Sequence, residues 1–433
     1  MNSARESPAS NLSVVACGVV SVFIFLIAHA AFIVGLSTPE KFVFDEAHYV
    51  PAARQMLEPV IREPMLNPMH PPLGKQIIAS SIRIFGDNAF AWRYPAALFG
   101  ALCLVAIYLG ALALFSGQAP AIAASLIALF NQMLFVQSRI AMLDIFALGF
   151  SLCGIAAFMH GYRKVRPHIY FAASGLAFGF AAACKWSGLF PLATAIVIIA
   201  IIRLMQGWRT AFADGNSGDW YRPDLWPDFR AFHFAACFVC LPALAYLLSF
   251  VVLYGPSPSD ILEAQQRIFA DNTTSAIAGH TYMSSWPSWP FLIRPVWYLF
   301  DKVEDDTAAA IVLLGNPVVL WPALLALLVC LRDWIATRRA DAFLILAFYF
   351  GPYLAWALLP RTLGFLYYYL PSATTASLAL VYALTRQGMP RWALWAYVVM
   401  AGAGFAAMLP ISAAFVGTSM ATFNRLMLFQ SWI

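Results

Sequence analysis

A polytopic, all-helical integral membrane protein is the fold class this sequence predicts, on three observations. Hydrophobic residues fill 62% of the 433 positions and charged residues only 11%, a balance no soluble globule of this size needs. The apolar residues come in long continuous runs, where a membrane barrel would alternate them with polar ones. The remaining charges gather mostly between these runs.

The runs lie near 13–36, 90–115, 119–137, 143–161, 169–185, 188–204, 233–254, 308–331, 342–359, 365–385 and 392–416. A crossing takes roughly 20 residues, so they predict about eleven transmembrane helices in a single membrane domain spanning 1–433. The first run is longer than a signal-peptide core and lacks a small-residue cleavage site behind it, which makes it a retained span. Arginines and lysines place the faces. Arg163, Lys164, Arg166, Arg203, Arg209, Arg222, Arg230, Arg332, Arg338, Arg339, Arg386 and Arg391 all fall in one set of loops, the expected cytoplasmic set. The other face receives two long loops, 37–89 and 255–307.

The first outer loop predicts two short interfacial helices, Pro51–Leu57 and Leu73–Phe85, each with one apolar face. The prolines of Asn67-Pro68-Met69-His70-Pro71-Pro72 break the chain between them. In the second loop, Trp286-Pro287-Ser288-Trp289-Pro290 reads as an aromatic shelf at the interface.

Several function classes are disfavoured. The net charge of +5 comes with no basic run interleaved with aromatics, so nucleic acid is not an expected partner. The seven cysteines all sit in apolar segments, and Cys237-Phe238-Val239-Cys240 lies inside a span, where buried thiols are commoner than a redox or metal motif. No internal repeat of the kind that marks secondary transporters is visible.

Ionisable groups at the edge of an apolar bundle are costly and point to function. Asp45 and Glu46 follow the first span directly, with His48 beside them and His70 further along the loop. Adjacent side chains on a helix diverge by about 100°, so the two carboxylates cannot serve one proton. One can reach a substrate while the other orients a partner. Such a division suits inverting glycosyl transfer, in which one carboxylate takes the proton of the incoming nucleophile. A phosphate leaving group then needs cations rather than an acid. Arg93, Arg139, Lys185 and Arg361 stand at expected outer helix ends, with Lys75 in the loop. Each has an ordinary alternative: Asp45-Glu46 as a solvated helix start, Arg139 with Asp144 as a structural pair, Lys185-Trp186 as an interface anchor.

The stretches Phe44-Asp45-Glu46-Ala47-His48-Tyr49, His70-Pro71-Pro72-Leu73-Gly74-Lys75 and Trp92-Arg93-Tyr94-Pro95-Ala96 resemble the opening motifs of the protein O-mannosyltransferase family. Ser138-Arg139 with Leu143-Asp144, Lys185-Trp186-Ser187-Gly188-Leu189, Gly315-Asn316-Pro317 and Phe365-Leu366-Tyr367-Tyr368-Tyr369-Leu370-Pro371 are similar to its later motifs, in family order. The resemblance implies the C-type (GT-C) membrane glycosyltransferase fold and a polyprenyl-phosphate sugar donor, typically carrying mannose. It places the essential acidic pair on Asp45 and Glu46, with Asp45 the base, and the essential arginine on Arg93. Arg139, Lys185 and Arg361 join Arg93 as expected contacts of the donor phosphate, and His48, His70, Asp144 and Tyr368 as acceptor-side or positioning groups. No cofactor and no metal are expected. The family's eukaryotic members carry an acidic residue where Pro68 stands, and a β-trefoil domain inside the second outer loop. Lacking both, the chain is similar to bacterial members, which would place it in the inner or plasma membrane with its site on the outer face.

The expected partners are thus the lipid-linked donor, membrane lipid, and a Ser or Thr of an exported protein as acceptor. A same-fold transferase acting on a lipid or polysaccharide, as the aminoarabinose transferases do, is the alternative; a flippase or transporter is a third. The sequence leaves the oligomeric state open.

Overall fold

The computed structural model describes residues 13–59, 65–212, 225–274, 279–359, 364–415 and 417–433. It is dominated by helices. α1 (Val14–Ile33) leads into the first outer loop, which carries α2 (Glu46–Gln55) and α3 (Leu73–Phe85). α4 (Ala89–Leu114), α5 (Gln118–Leu129), α6 (Gln132–Gln137), α7 (Leu143–Tyr162), α8 (His168–Cys184) and α9 (Leu189–Phe212) follow. α10 (Ala231–Ala235) runs through a π-helical turn (Ala236–Cys240) into α11 (Leu241–Tyr254). The second outer loop holds α12 (Pro258–Thr274) and strands β1 (Val296–Glu304) and β2 (Thr307–Leu313). The chain closes with α13 (Pro317–Thr337), α14 (Ala340–Leu358), α15 (Leu370–Leu384), α16 (Arg391–Met408), the short strand β3 (Thr418–Ser419) and α17 (Met420–Leu426).

The mainly helical membrane expectation holds, and two details are added to it. The fold is not purely helical: β1, β2 and β3 form an antiparallel sheet, β1 pairing from Val296↔Leu313 to Glu304↔Thr307. The apolar run from 308 therefore begins as strand β2, and the helix starts only at Pro317. A short apolar stretch is ambiguous between buried strand and helix, and here Gly315 at φ +97° and the Asn316 cap mark the switch. Among the described residues, eight helices are long and apolar enough to cross a membrane. The apolar helices α5 and α8 are shorter, as is α15, so the count of about eleven does not follow from helix length alone.

Small residues set the packing of α8. A Cβ on Gly175 would collide with the carbonyl oxygen of Cys237, and one on Gly179 with that of Pro242. This spacing of small residues lets the π-helical turn and α11 lie backbone to backbone on α8, where no hydrophobic effect drives helices together. Cys237 is thus a free thiol at a close helix contact. Buried Gln132 ties the sheet to the bundle: its carbonyl oxygen accepts from the amides of Leu314 (3.1 Å) and Gly315 (2.8 Å), and its amide donates to Ser412 Oγ (2.9 Å) and Val312 O.

Candidate active site

The outer loop turns sharply at Phe44, whose φ of +51° lies in the left-handed region. A bulky residue there carries strain, of order 1–3 kcal/mol, and needs its surroundings to hold it. Those surroundings are aromatic: the Phe44 ring lies 4.6 Å from Tyr298, 6.2 Å from His280 and 6.3 Å from Tyr367. The turn starts α2 at the acidic pair and sends its two carboxylates different ways.

Glu46 points inward and is fully buried. Its Oε1 accepts from Arg93 Nε (2.8 Å) and the Ala141 amide (2.9 Å), and its Oε2 from Arg93 Nη2 (2.9 Å) and the Val43 amide (2.8 Å). Arg93, on α4 and 1% exposed, gives its remaining hydrogens to the carbonyls of Leu36 (3.1 Å), Pro39 (2.8 Å) and Lys41 (2.8 Å). All five guanidinium N–H groups are thereby used by the protein. Arg93 closes the loop after α1 onto α4 and has no donor left for a phosphate.

Asp45 is the half-buried member. Tyr49, one helical turn on, donates to its Oδ2 at 3.4 Å. Burial pushes the Asp45 carboxyl above its ordinary proton affinity; Lys185 pulls it down, Asp144 pushes it up, and His48 and Tyr49 pull it down. Lys185 and Asp144, the two charges that act most on Asp45, form a second buried ion pair. Lys185, at the C-terminal end of α8, donates to Asp144 Oδ1 (2.9 Å) and Oδ2 (2.8 Å). Asp144 occupies the first turn of α7, where the helix dipole favours a negative charge. The Lys185 ammonium also faces the rings of Tyr367 (5.3 Å) and Tyr368 (5.2 Å), and Tyr368 stacks on Trp356 at 4.3 Å. A narrow cleft lined by Asp144, Trp356, Tyr367 and Tyr368 opens there.

The structure pairs Asp144 with Lys185, not with Arg139, and Lys185 is a buried ion-pair partner rather than an interface anchor. Arg139 caps α1, donating through Nη1 to the carbonyls of Phe32 and Val34, both at 2.7 Å, and packs over Phe135. His48 is exposed. His70 packs 6.0 Å from Tyr49, and its carbonyl oxygen accepts from buried Lys75 at 2.9 Å; Asn67 O accepts from the same ammonium at 2.7 Å. Burial lowers the Lys75 ammonium to about 7. Arg361 lies outside the described residues. The sequence reading gave no role to Tyr49 or Tyr298. Tyr49 was within reach of it, since positions four apart on a helix are neighbours. Tyr298 comes from β1 and left no local signal. Among the described residues, no group of three or more His, Cys, Asp or Glu stands close enough to hold a metal ion.

The scaffold is that of the GT-C class of membrane glycosyltransferases, as the solved structures it matches show. The fold matches the S. cerevisiae protein O-mannosyltransferase Pmt1-Pmt2 complex bound to the sugar donor, with a TM-score of 0.77 at 14% identity over 99% of this chain and 94% of that one. ArnT from Cupriavidus metallidurans bound to undecaprenyl phosphate matches at a TM-score of 0.59 and 17% identity, over 96% and 73%. The family described as dolichyl-phosphate-mannose-protein mannosyltransferase matches residues 22–253, and the C-terminal four TMM region of protein-O-mannosyltransferase matches 258–432. The chain belongs to the protein O-mannosyltransferase family. It is 27% identical over 399 residues to the polyprenol-phosphate-mannose–protein mannosyltransferase of Mycolicibacterium smegmatis, covering 75% of this chain and 73% of that protein. The protein of the same name from Corynebacterium glutamicum is 25% identical over 394 residues, covering 75% and 74%.

Proposed function

We propose that this chain moves mannose from a polyprenyl-phosphate carrier to Ser or Thr hydroxyls of exported polypeptides, with inversion at the sugar carbon. The observation that carries the reading is the setting of Asp45: half-buried at the start of α2, raised in proton affinity by burial, and within the electrostatic field of the Lys185–Asp144 pair. The family membership and the names of the relatives support the donor and the acceptor.

In the proposed reaction Asp45 takes the proton of the acceptor hydroxyl as its oxygen attacks the sugar carbon. The bond from that carbon to the carrier phosphate breaks, and the phosphate leaves with the electron pair. Lys185, the cation that acts most strongly on Asp45 among the described residues, meets that charge. Glu46 and Arg93 hold the loop that aims Asp45. Such a reaction uses only protein groups and the lipid-linked donor. The site would face the side opposite the arginine-rich loops, in a plasma membrane its outer face.

The test is transfer from polyprenyl-phosphate [3H]mannose to a Ser/Thr-rich peptide by the purified chain in lipid, beside Asp45→Asn. Removing a general base costs about 10²–10⁴-fold, so label should reach the peptide with the parent chain and vanish with the variant. Consumption of donor only when a glycolipid fraction is added would instead favour the lipid acceptor.

A further inference from the structure

The bundle end opposite Asp45 holds a second polar cavity that the transfer reaction does not use. The site residues sit where α4, α7 and α15 begin and α8 ends; this cavity sits where α4, α7, α13 and α15 end and α14 begins. Its volume is about 880 Å³, and its polar lining includes Asp333, Arg339, Asp341, Tyr382 and Arg386.

Two guanidinium groups here, those of Arg339 and Arg386, meet the two carboxylates. Both carboxylates are buried and already spent. Asp341 accepts from Arg339 Nε (3.0 Å) and Nη2 and from the Ala342 amide (2.8 Å). Asp333 accepts from Arg386 Nη2 (2.9 Å) and Tyr382 OH (3.0 Å). The arginines are spent far less. Arg386 commits one of its five N–H groups and Arg339 two, and their side chains stay 35% and 53% exposed. Arg339 is further fixed over the Tyr382 ring at 5.4 Å. The carboxylates thus act as tethers that orient two forks, from the starts and ends of different helices, toward the cavity.

Rigid guanidinium forks match phosphate oxygens. Forks on separate helices call for an anion with acceptors in more than one plane, which a tetrahedral phosphate has and a planar carboxylate lacks. Leu114 and Phe115 give the same cavity an apolar wall, and basic pockets between helix ends are where anionic headgroups lodge. We infer that this cavity binds a phosphate group, supplied by an anionic phospholipid headgroup or by a soluble phosphate.

The full chain is reconstituted in phosphatidylcholine nanodiscs with and without phosphatidylglycerol, and inorganic phosphate is added to the phosphatidylcholine sample. Lipid retention is read by native mass spectrometry and stability by thermal unfolding. The paired variants D333N/R386Q and D341N/R339Q remove one fork each, keep the net charge, and leave no buried charge unpaired. Phosphatidylglycerol should be retained over phosphatidylcholine, and each paired variant should lose about tenfold of that preference, the worth of a charge-assisted hydrogen bond, with transfer activity unchanged. Stabilisation by inorganic phosphate, lost in the same variants, would establish the soluble source; a response to phosphatidylglycerol alone would establish the lipid. Ion pairs that only staple helix ends would lower stability equally in every lipid and leave the preference intact. That result, or no preference and no phosphate response in the parent chain, overturns the inference.

Discussion

Two buried ion pairs stand on the same face of this protein and differ in how fully they are satisfied. Glu46 and Arg93 share a carboxylate with four N–H donors and a guanidinium with five acceptors, all from the protein. Lys185 and Asp144 bond to each other, while aromatic rings and the electrostatic pull on Asp45 take the rest of the ammonium's field. The comparison teaches that burial of charge does not by itself mark chemistry. The first pair has every polar group satisfied by the protein, whereas the second keeps field to spare, and it is the second that the proposed reaction uses.

The sharpest way to break the comparison is at the saturated pair. Arg93→Gln leaves Glu46 buried and uncompensated, which costs about 3–5 kcal/mol. Thermal unfolding should show that loss, and E46Q/R93Q should recover part of it. Equal stability in Arg93→Gln and the parent chain would move Arg93 out of the scaffold.

Lys185→Gln is expected to cost less stability, about 1–3 kcal/mol, because the start of α7 still supports the Asp144 charge. It should lower transfer at least tenfold, so that the two variants separate when activity is plotted against stability.

The pH dependence sharpens the point further. In the proposed reaction transfer needs ionised Asp45, and burial raises its carboxyl above the ordinary 3.8. The acid limb of the rate profile should therefore lie above the ordinary carboxylate range, and Lys185→Gln, which removes the largest opposing influence, should move it higher still. Between 3.8 and its raised value the folded chain binds more protons at Asp45 than the unfolded chain does. Stability falls as pH rises through that window, and the cost is fully present above it. Asp45→Asn, expected to be inactive, should thus melt no lower than the parent chain at pH 7. The smallest effect belongs to Tyr49→Phe, whose long 3.4 Å bond to Asp45 predicts a change of about two- to fivefold in rate and a small upward shift of the acid limb.

The two β-strands of the second outer loop show where local pattern stopped. Residues 308–313 are apolar and continuous with a helix-forming run, and only their pairing with 296–304 makes them a strand. Of the two loop helices, α3 matches its expected bounds because it carries its apolar stripe in its own sequence and prolines precede it, whereas α2 runs over Glu46–Gln55 rather than Pro51–Leu57. The acidic pair and its cations were legible as residue types at helix ends. Their pairing was not: Asp144 lies five positions from Arg139, yet its partner is Lys185, 41 residues away.

From the sequence alone come the helical membrane class, the positions of most spans, and a set of ionisable groups gathered on one face, since hydropathy and charge are properties of short stretches of chain. Tertiary structure decided the rest. It turned Glu46 inward and left Asp45 out, used every N–H of Arg93, and brought Tyr298 beneath Phe44. Whether a charge is spent or available depends on which acceptors lie within hydrogen-bond reach, and in this bundle they come from elements tens of residues apart.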